Sequence, residues 1–157
     1  MDATVKLLRK MAFDATSGSG HHMLMDAASK VGGENRGPRP MEFILLGILG
    51  CTAMDVISIL RKKRQVVTDF EVKGHAERAE QHPKVFTHIT VEYHVVGEDV
   101  QEKAVRRSIE LSAVRYCPAQ AMLKEKVPMR YLYYIYEDTP DGPELRIQGE
   151  WKEGEPA

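Results

Sequence analysis

Cysteine is scarce in this chain: Cys51 and Cys117 are the only two among 157 residues. Their wide separation excludes a CxxC redox motif, and two thiols alone cannot complete a four-ligand zinc site. A static disulfide is not expected of them in a reducing compartment, which leaves two packed thiols or a reactive pair. An excess of one charge is also missing. The 22 basic and 23 acidic residues give a formal net charge of −1, so nothing draws the chain toward a phosphate backbone and nucleic acid is not an expected partner. Long apolar runs are absent as well. The longest uncharged stretch, Phe43 to Met54, falls short of the roughly 20 residues a bilayer demands. Asp2, Lys6, Arg9 and Lys10 interrupt the N-terminus, leaving no secretory h-region. The expectation is a cytoplasmic protein with no membrane partner. Gly18 and Gly20 lack the helix and lysine of a phosphate loop, and no GxSxG elbow occurs.

What is present is 43% hydrophobic and 29% charged residues, the composition of one globular domain spanning 1–157. Val5 to Phe13 alternates like a single strand, and His22 to Asp26 reads as its hairpin return after the Thr16–Gly20 turn. Gly32, Gly33, Asn35, Gly37, Pro38 and Pro40 mark 30–40 as a loop, so that 1–40 forms an N-terminal hairpin and loop. Pro40 suits the first position of a helix and Glu42 its first turn. Met41 to Leu60 is apolar nearly all round, which predicts a helix buried on every side. Gly47 and Gly50 within it allow another backbone or a ligand to approach closely.

Val66–Ala79 and Lys84–Val96 read as a strand pair. In the second, Val85, Ile89, Val91, Tyr93 and Val95 face one way, toward the core, while His88, Glu92 and His94 face the other. Gln101 to Tyr116 and Pro118 to Lys126 read as helices, and 129–136 with 144–151 as a closing hairpin. The order ββ-α-ββ-α-ββ predicts an α+β fold with mainly antiparallel strands.

Cys51 lies within the most apolar helix. Cys117 immediately precedes Pro118, which places it at a helix N-cap, where unpaired amides and the dipole favour a thiolate. Glu42 precedes Cys51 by nine positions. On a straight helix that is a rise of about 13.5 Å and two and a half turns, so the two side chains point opposite ways. Histidine offers no metal site: six residues of strand between His88 and His94 span about 20 Å. Tyr131, Tyr133, Tyr134 and Tyr136 alternate between core and surface.

Pro40-Met41-Glu42, an apolar helix reaching Gly50-Cys51, and a second helix ending Tyr116-Cys117-Pro118 together resemble the OsmC/Ohr family of thiol peroxidases. Ser58-Ile59-Leu60 and Phe86-Thr87-His88-Ile89 are most similar to its YhfA-like branch. The resemblance covers Val5 to Tyr136 and leaves 137–157 as a C-terminal extension. It implies an intertwined homodimer, with antiparallel sheets wrapped around a central buried helix pair. It also implies a peroxidatic Cys51, a resolving Cys117, and Glu42 in a supporting polar network. An external dithiol is the implied reductant; the apolar walls around Cys51 favour an organic hydroperoxide substrate, and no cofactor or metal is expected. Family members pair the glutamate with an arginine that holds the thiolate charged. Arg36 and Arg39 are the candidates here, with Arg9 a third. The alternative function is a non-catalytic protein of the same fold, binding a small apolar ligand or partner at the dimer interface.

Overall fold

A computed structural model describes residues 1–155. The chain divides into two compact units, Met1–Leu46 and the part from Gly47 onward.

The first unit holds a three-stranded antiparallel sheet of β1 (Ala3–Arg9), β2 (Ala12–Ser17) and β3 (His22–Met25), in that order. The single strand expected over Val5 to Phe13 is therefore two. The chain reverses at Lys10-Met11, with Lys10 in the left-handed region at φ 48°. Val5 lies opposite Ala15, and Leu7 opposite Phe13. Directly opposed residues share a sheet face, so Val5, Leu7, Phe13 and Ala15 fall on one face, while a bulge between Leu7 and Arg9 sets Arg9 opposite Ala12.

Asp26 organises the loop that follows. One carboxylate oxygen accepts from the Ala27 amide at 2.7 Å; the other accepts from the Glu34 and Arg36 amides at 3.0 and 3.1 Å. The Arg36 amide bond is the chief reason the Asp26 carboxyl sits below its usual pKa. A depressed carboxyl stabilises the fold above its unfolded pKa of about 3.9, and that contribution disappears as pH falls through the lower folded value. Asp26→Ala is accordingly expected to release this loop, seen as faster hydrogen exchange at the Glu34 and Arg36 amides at neutral pH. Unchanged protection at both amides would contradict it.

Helix α1 (Pro40–Lys62) starts where Pro40 predicts. Glu42 reaches back to accept from the backbone N–H of Arg39 at 2.8 Å, as the third residue of a capping box does. Among the described residues α1 is the one helix long and apolar enough to cross a membrane by length and composition. The sequence expectation weighed only its uncharged stretch, and to that extent is corrected. Within one chain the helix is covered on one stripe only, so the burial on every side expected of it calls for cover from a partner subunit. Ile48, Thr52, Val56 and Leu60 are buried, one every fourth residue along a single stripe. Met54 is 74% exposed, and Ile44 and Leu46 are also open. Nor do Gly47 and Gly50 meet a close neighbour: a methyl group at either finds nothing within 4 Å among the described residues.

The second unit is built on a four-stranded sheet in the order β4 (Val66–Arg78), β5 (Phe86–Glu98), β6 (Met129–Thr139), β7 (Gly142–Trp151). β4 and β7 pair antiparallel with their neighbours, while β5 and β6 run parallel. A parallel pair needs a crossover connection, which α2 (Glu102–Leu111) and α3 (Pro118–Leu123) provide. Ile89, Val91, Tyr93 and Val95 of β5 are fully buried, as their spacing predicts, whereas Val85, expected on the same face, precedes the strand and is exposed. Tyr131, Tyr133 and Ile135 of β6 continue that core, with Val105 and Ile109 of α2. Gly74 of β4 lets α1 come close: a methyl group there would stand 2.7 Å from the Leu49 side chain.

Candidate active site

Between α2 and α3 the chain makes a π-helical turn, Ser112–Tyr116, closed by the Cys117 amide donating to the Ser112 carbonyl at 2.9 Å. Such a turn inserts an extra residue and re-aims the side chains beside it. Ser112 and Cys117, at its two ends, both meet α1. The sequence reading ran one regular helix to Tyr116, because apolar spacing does not distinguish a π turn.

Cys117 is the N-cap of α3, with Pro118 first in the helix and the Gln120 amide donating to Cys117 Sγ at 3.4 Å. The thiolate expected there is not favoured, however. Cys117 is buried, and burial, followed by its hydrogen bond with Cys51, pushes the thiol pKa up to about 12. Loss of water around a would-be anion outweighs the Gln120 and Ala119 backbone N–H groups at the start of a short helix.

Cys51 is half-buried on α1, and both cysteines are free. Asp55 follows it by one helical turn on the same side. The Cys51 sulfur, the Cys117 sulfur and an Asp55 carboxylate oxygen all lie within 4.8 Å of one another. A buried hydrogen-bond chain supports them. Ser112 Oγ donates to Asp55 Oδ2 at 3.0 Å and lies 2.9 Å from Thr52 Oγ1, which in turn is 2.7 Å from the Tyr93 hydroxyl. Desolvation raises the Tyr93 pKa, so its hydroxyl keeps its proton. Sequence reasoning missed Asp55, Thr52, Ser112 and Tyr93 as a group. The i to i+4 spacing of Cys51 and Asp55 was a usable signal for the first; no local pattern announces the others.

Glu42 and Arg39 form a second cluster, at the start of α1. The Arg39 guanidinium donates to Glu42 Oε1 at 2.8 Å and to Asn35 Oδ1 at 2.9 Å. The Arg39 backbone bond first, and its side chain second, hold the Glu42 carboxyl below its ordinary pKa. Arg36 lies by Asp26 and Glu34, lowering both carboxyls. Arg9 pairs with Glu34 at 2.5 Å. Of the arginine candidates, Arg39 is the one seen bonded to Glu42.

Two of the histidines have partners away from the cysteines. His22 bonds Asp14 at 3.0 Å, and His94 stacks on Tyr134 with ring centroids 4.7 Å apart.

Burial of Cys117 has a consequence for pH. A thiol whose folded pKa is raised contributes stability that is intact below the unfolded value of about 8.5. That stability is lost as pH rises toward the folded value of about 12. The reduced protein is therefore expected to lose stability steadily above about pH 8.5, and Cys117→Ser to flatten that alkaline limb in urea titrations. An equal slope in the variant would refute the assignment.

The chain is thus an α+β protein with one cysteine on a long apolar helix and another capping a short helix after a crossover. The family model described as OsmC-like protein matches residues 32–131, and the chain belongs to that family. It is 42% identical over 135 residues to protein YhfA of Escherichia coli strain K12, covering 86% of this chain and 98% of that one. The crystal structure of a hypothetical protein from Aquifex aeolicus VF5 is similar at 30% identity, with a TM-score of 0.77, and covers 88% of this chain and 97% of its own. An organic hydroperoxide resistance protein OsmC from Legionella pneumophila shares the fold at 14% identity, with a TM-score of 0.61, over 85% of this chain and 94% of that one.

Proposed function

We propose that this protein is a cysteine-based hydroperoxide reductase acting on organic hydroperoxides. The observation that carries the reading is the approach of the Cys51 and Cys117 sulfurs within 4.8 Å. Closing that separation to the S–S bond length of about 2.05 Å is the movement the reading requires of the two side chains.

The reaction follows in three balanced steps. The Cys51 thiolate attacks the distal peroxide oxygen, the O–O bond breaks, and alkoxide leaves to be protonated to the alcohol. The Cys51 sulfenic acid then condenses with the Cys117 thiol, forming the disulfide and releasing water. An external dithiol reduces the disulfide by exchange and becomes a disulfide itself. Cys117 holds its proton until the second step, so it does not compete as nucleophile in the first. The Asp55 carboxylate is positioned to accept that proton as the sulfur attacks. Arg39, paired with Glu42, and Arg36 are the candidate cations for a Cys51 thiolate, offered across the proposed dimer interface.

The reading includes an intertwined homodimer in the cytoplasm, each copy acting as one OsmC-like domain. The exposed apolar residues of α1 support it, since Ile44, Leu46 and Met54 are the kind of side chains that a second copy covers. The same apolar character favours a substrate with an alkyl or aryl tail. Several proteins of similar fold are named for organic hydroperoxide resistance.

Steady-state turnover with a dithiol reductant tests the substrate. Cumene hydroperoxide is expected to be reduced at least about tenfold faster than hydrogen peroxide, because an apolar group of several carbons adds binding energy in an apolar site. Equal rates would contradict the apolar site, and no turnover with either peroxide would contradict the enzyme.

A further inference from the structure

We infer that Cys51, Asp55 and Cys117 form a three-ligand site for a thiophilic divalent cation of the zinc class, loaded only while both thiols are reduced. The sequence argument against metal counted two thiols and distant histidines. It omitted a carboxylate that folding sets beside the sulfurs.

The ligand atoms lie within 4.8 Å of one another. Tetrahedral zinc with Zn–S near 2.3 Å and Zn–O near 2.1 Å requires ligand separations of roughly 3.5–3.8 Å. Closing by about 1 Å is within the reach of χ1 rotations of three short side chains. The ligands also come from supported positions. Cys51 and Asp55 stand one turn apart on α1, and Cys117 is fixed at the cap of α3. Ser112 Oγ orients the carboxylate, itself held by Thr52 and Tyr93. Metal-ligating carboxylates characteristically have such outer partners.

Two thiolates select a soft or borderline cation over magnesium or calcium, and the hard carboxylate oxygen favours zinc or cadmium over copper(I). Cys51 and Asp55 are only half-buried, so a fourth coordination position stays open to water or a small ligand. Loading releases the two thiol protons. Where the proposed peroxidase chemistry holds, cation and peroxide compete for the same sulfurs. The bound pair plus hydroperoxide and two protons then gives disulfide, alcohol, water and free cation.

Anaerobic titration of the reduced full-length protein with cadmium chloride tests the site, read from the thiolate-to-cadmium charge-transfer band in the ultraviolet. We expect saturation at one cadmium per chain, with competition by zinc. Cys51→Ser and Cys117→Ser should each remove most of the band. Asp55→Asn, which preserves size and a hydrogen-bond acceptor for Ser112, should weaken affinity by at least about tenfold. Protein carrying the Cys51–Cys117 disulfide should give no band. Absence of saturable binding by the reduced protein, or wild-type affinity in Asp55→Asn, would overturn the site. Failure of the peroxidase reading looks different: the cadmium band persists, while hydroperoxide leaves both thiols unoxidised.

Discussion

Serine in place of Cys51 is expected to abolish hydroperoxide reduction, lowering kcat/KM by more than about a thousandfold. A hydroxyl is a far weaker nucleophile toward a peroxide oxygen than a thiolate, and loss of a covalent nucleophile leaves only the residual contribution of binding. The partner cysteine should behave differently. Cys117→Ser should still perform one turnover and stop at the sulfenic acid, gaining one oxygen by intact mass and reacting with dimedone. Wild type should instead lose two hydrogens per chain. The asymmetry follows from the site: Cys51 is half-buried, while Cys117 is buried, protonated and capping a helix. Comparable turnover in both variants, or complete loss of the first oxidation in both, would contradict the assigned order of events.

The second large effect concerns the last strand, β7. Trp151 is 1% exposed and packs against Tyr131, with ring centroids 5.4 Å apart. It ends β7, directly opposite Tyr131 on β6. Trp151→Ala should therefore cost about 3–5 kcal/mol. For a chain of this length that corresponds to a fall in Tm of roughly 6–20 °C. Differential scanning calorimetry checks it, and a Tm within about 2 °C of wild type would show that β7 is dispensable to the core.

Much of the fold was legible because its periodicities are local. The i+2 burial of Ile89, Val91, Tyr93 and Val95, the proline at the start of α1 and the cap at Cys117 each depend on residues only a few positions away. What was not legible depends on partners far along the chain. Apolar residues at odd positions continue in sequence across the Lys10-Met11 reversal, so one pattern described two strands although a bulge lies beside the turn. Nothing in the spacing of 86–98 or 129–139 specifies that β5 and β6 run parallel. The long helix looked apolar on every side, yet its own chain covers only the stripe through Ile48, Thr52, Val56 and Leu60.

The candidate site divides in the same way. The two cysteines stood out by rarity and by their helical contexts, and Glu42 by its place in a first helical turn. Asp55 did not, since a single acid in an apolar helix reads as a surface residue until Ser112, 57 positions later, donates to it. The N-cap argument for Cys117 was sound in geometry and failed in energetics. It weighed the helix end without the burial that only the packed chain reveals.

Peptide mapping of the reduced wild-type protein after one equivalent of cumene hydroperoxide, with rapid alkylation of remaining thiols, tests the central claim most directly. The account predicts a single disulfide linking the Cys51 and Cys117 peptides of one chain, with neither cysteine alkylated. Recovery of both cysteines fully alkylated, or of oxidised Cys51 alongside alkylated Cys117, would contradict it.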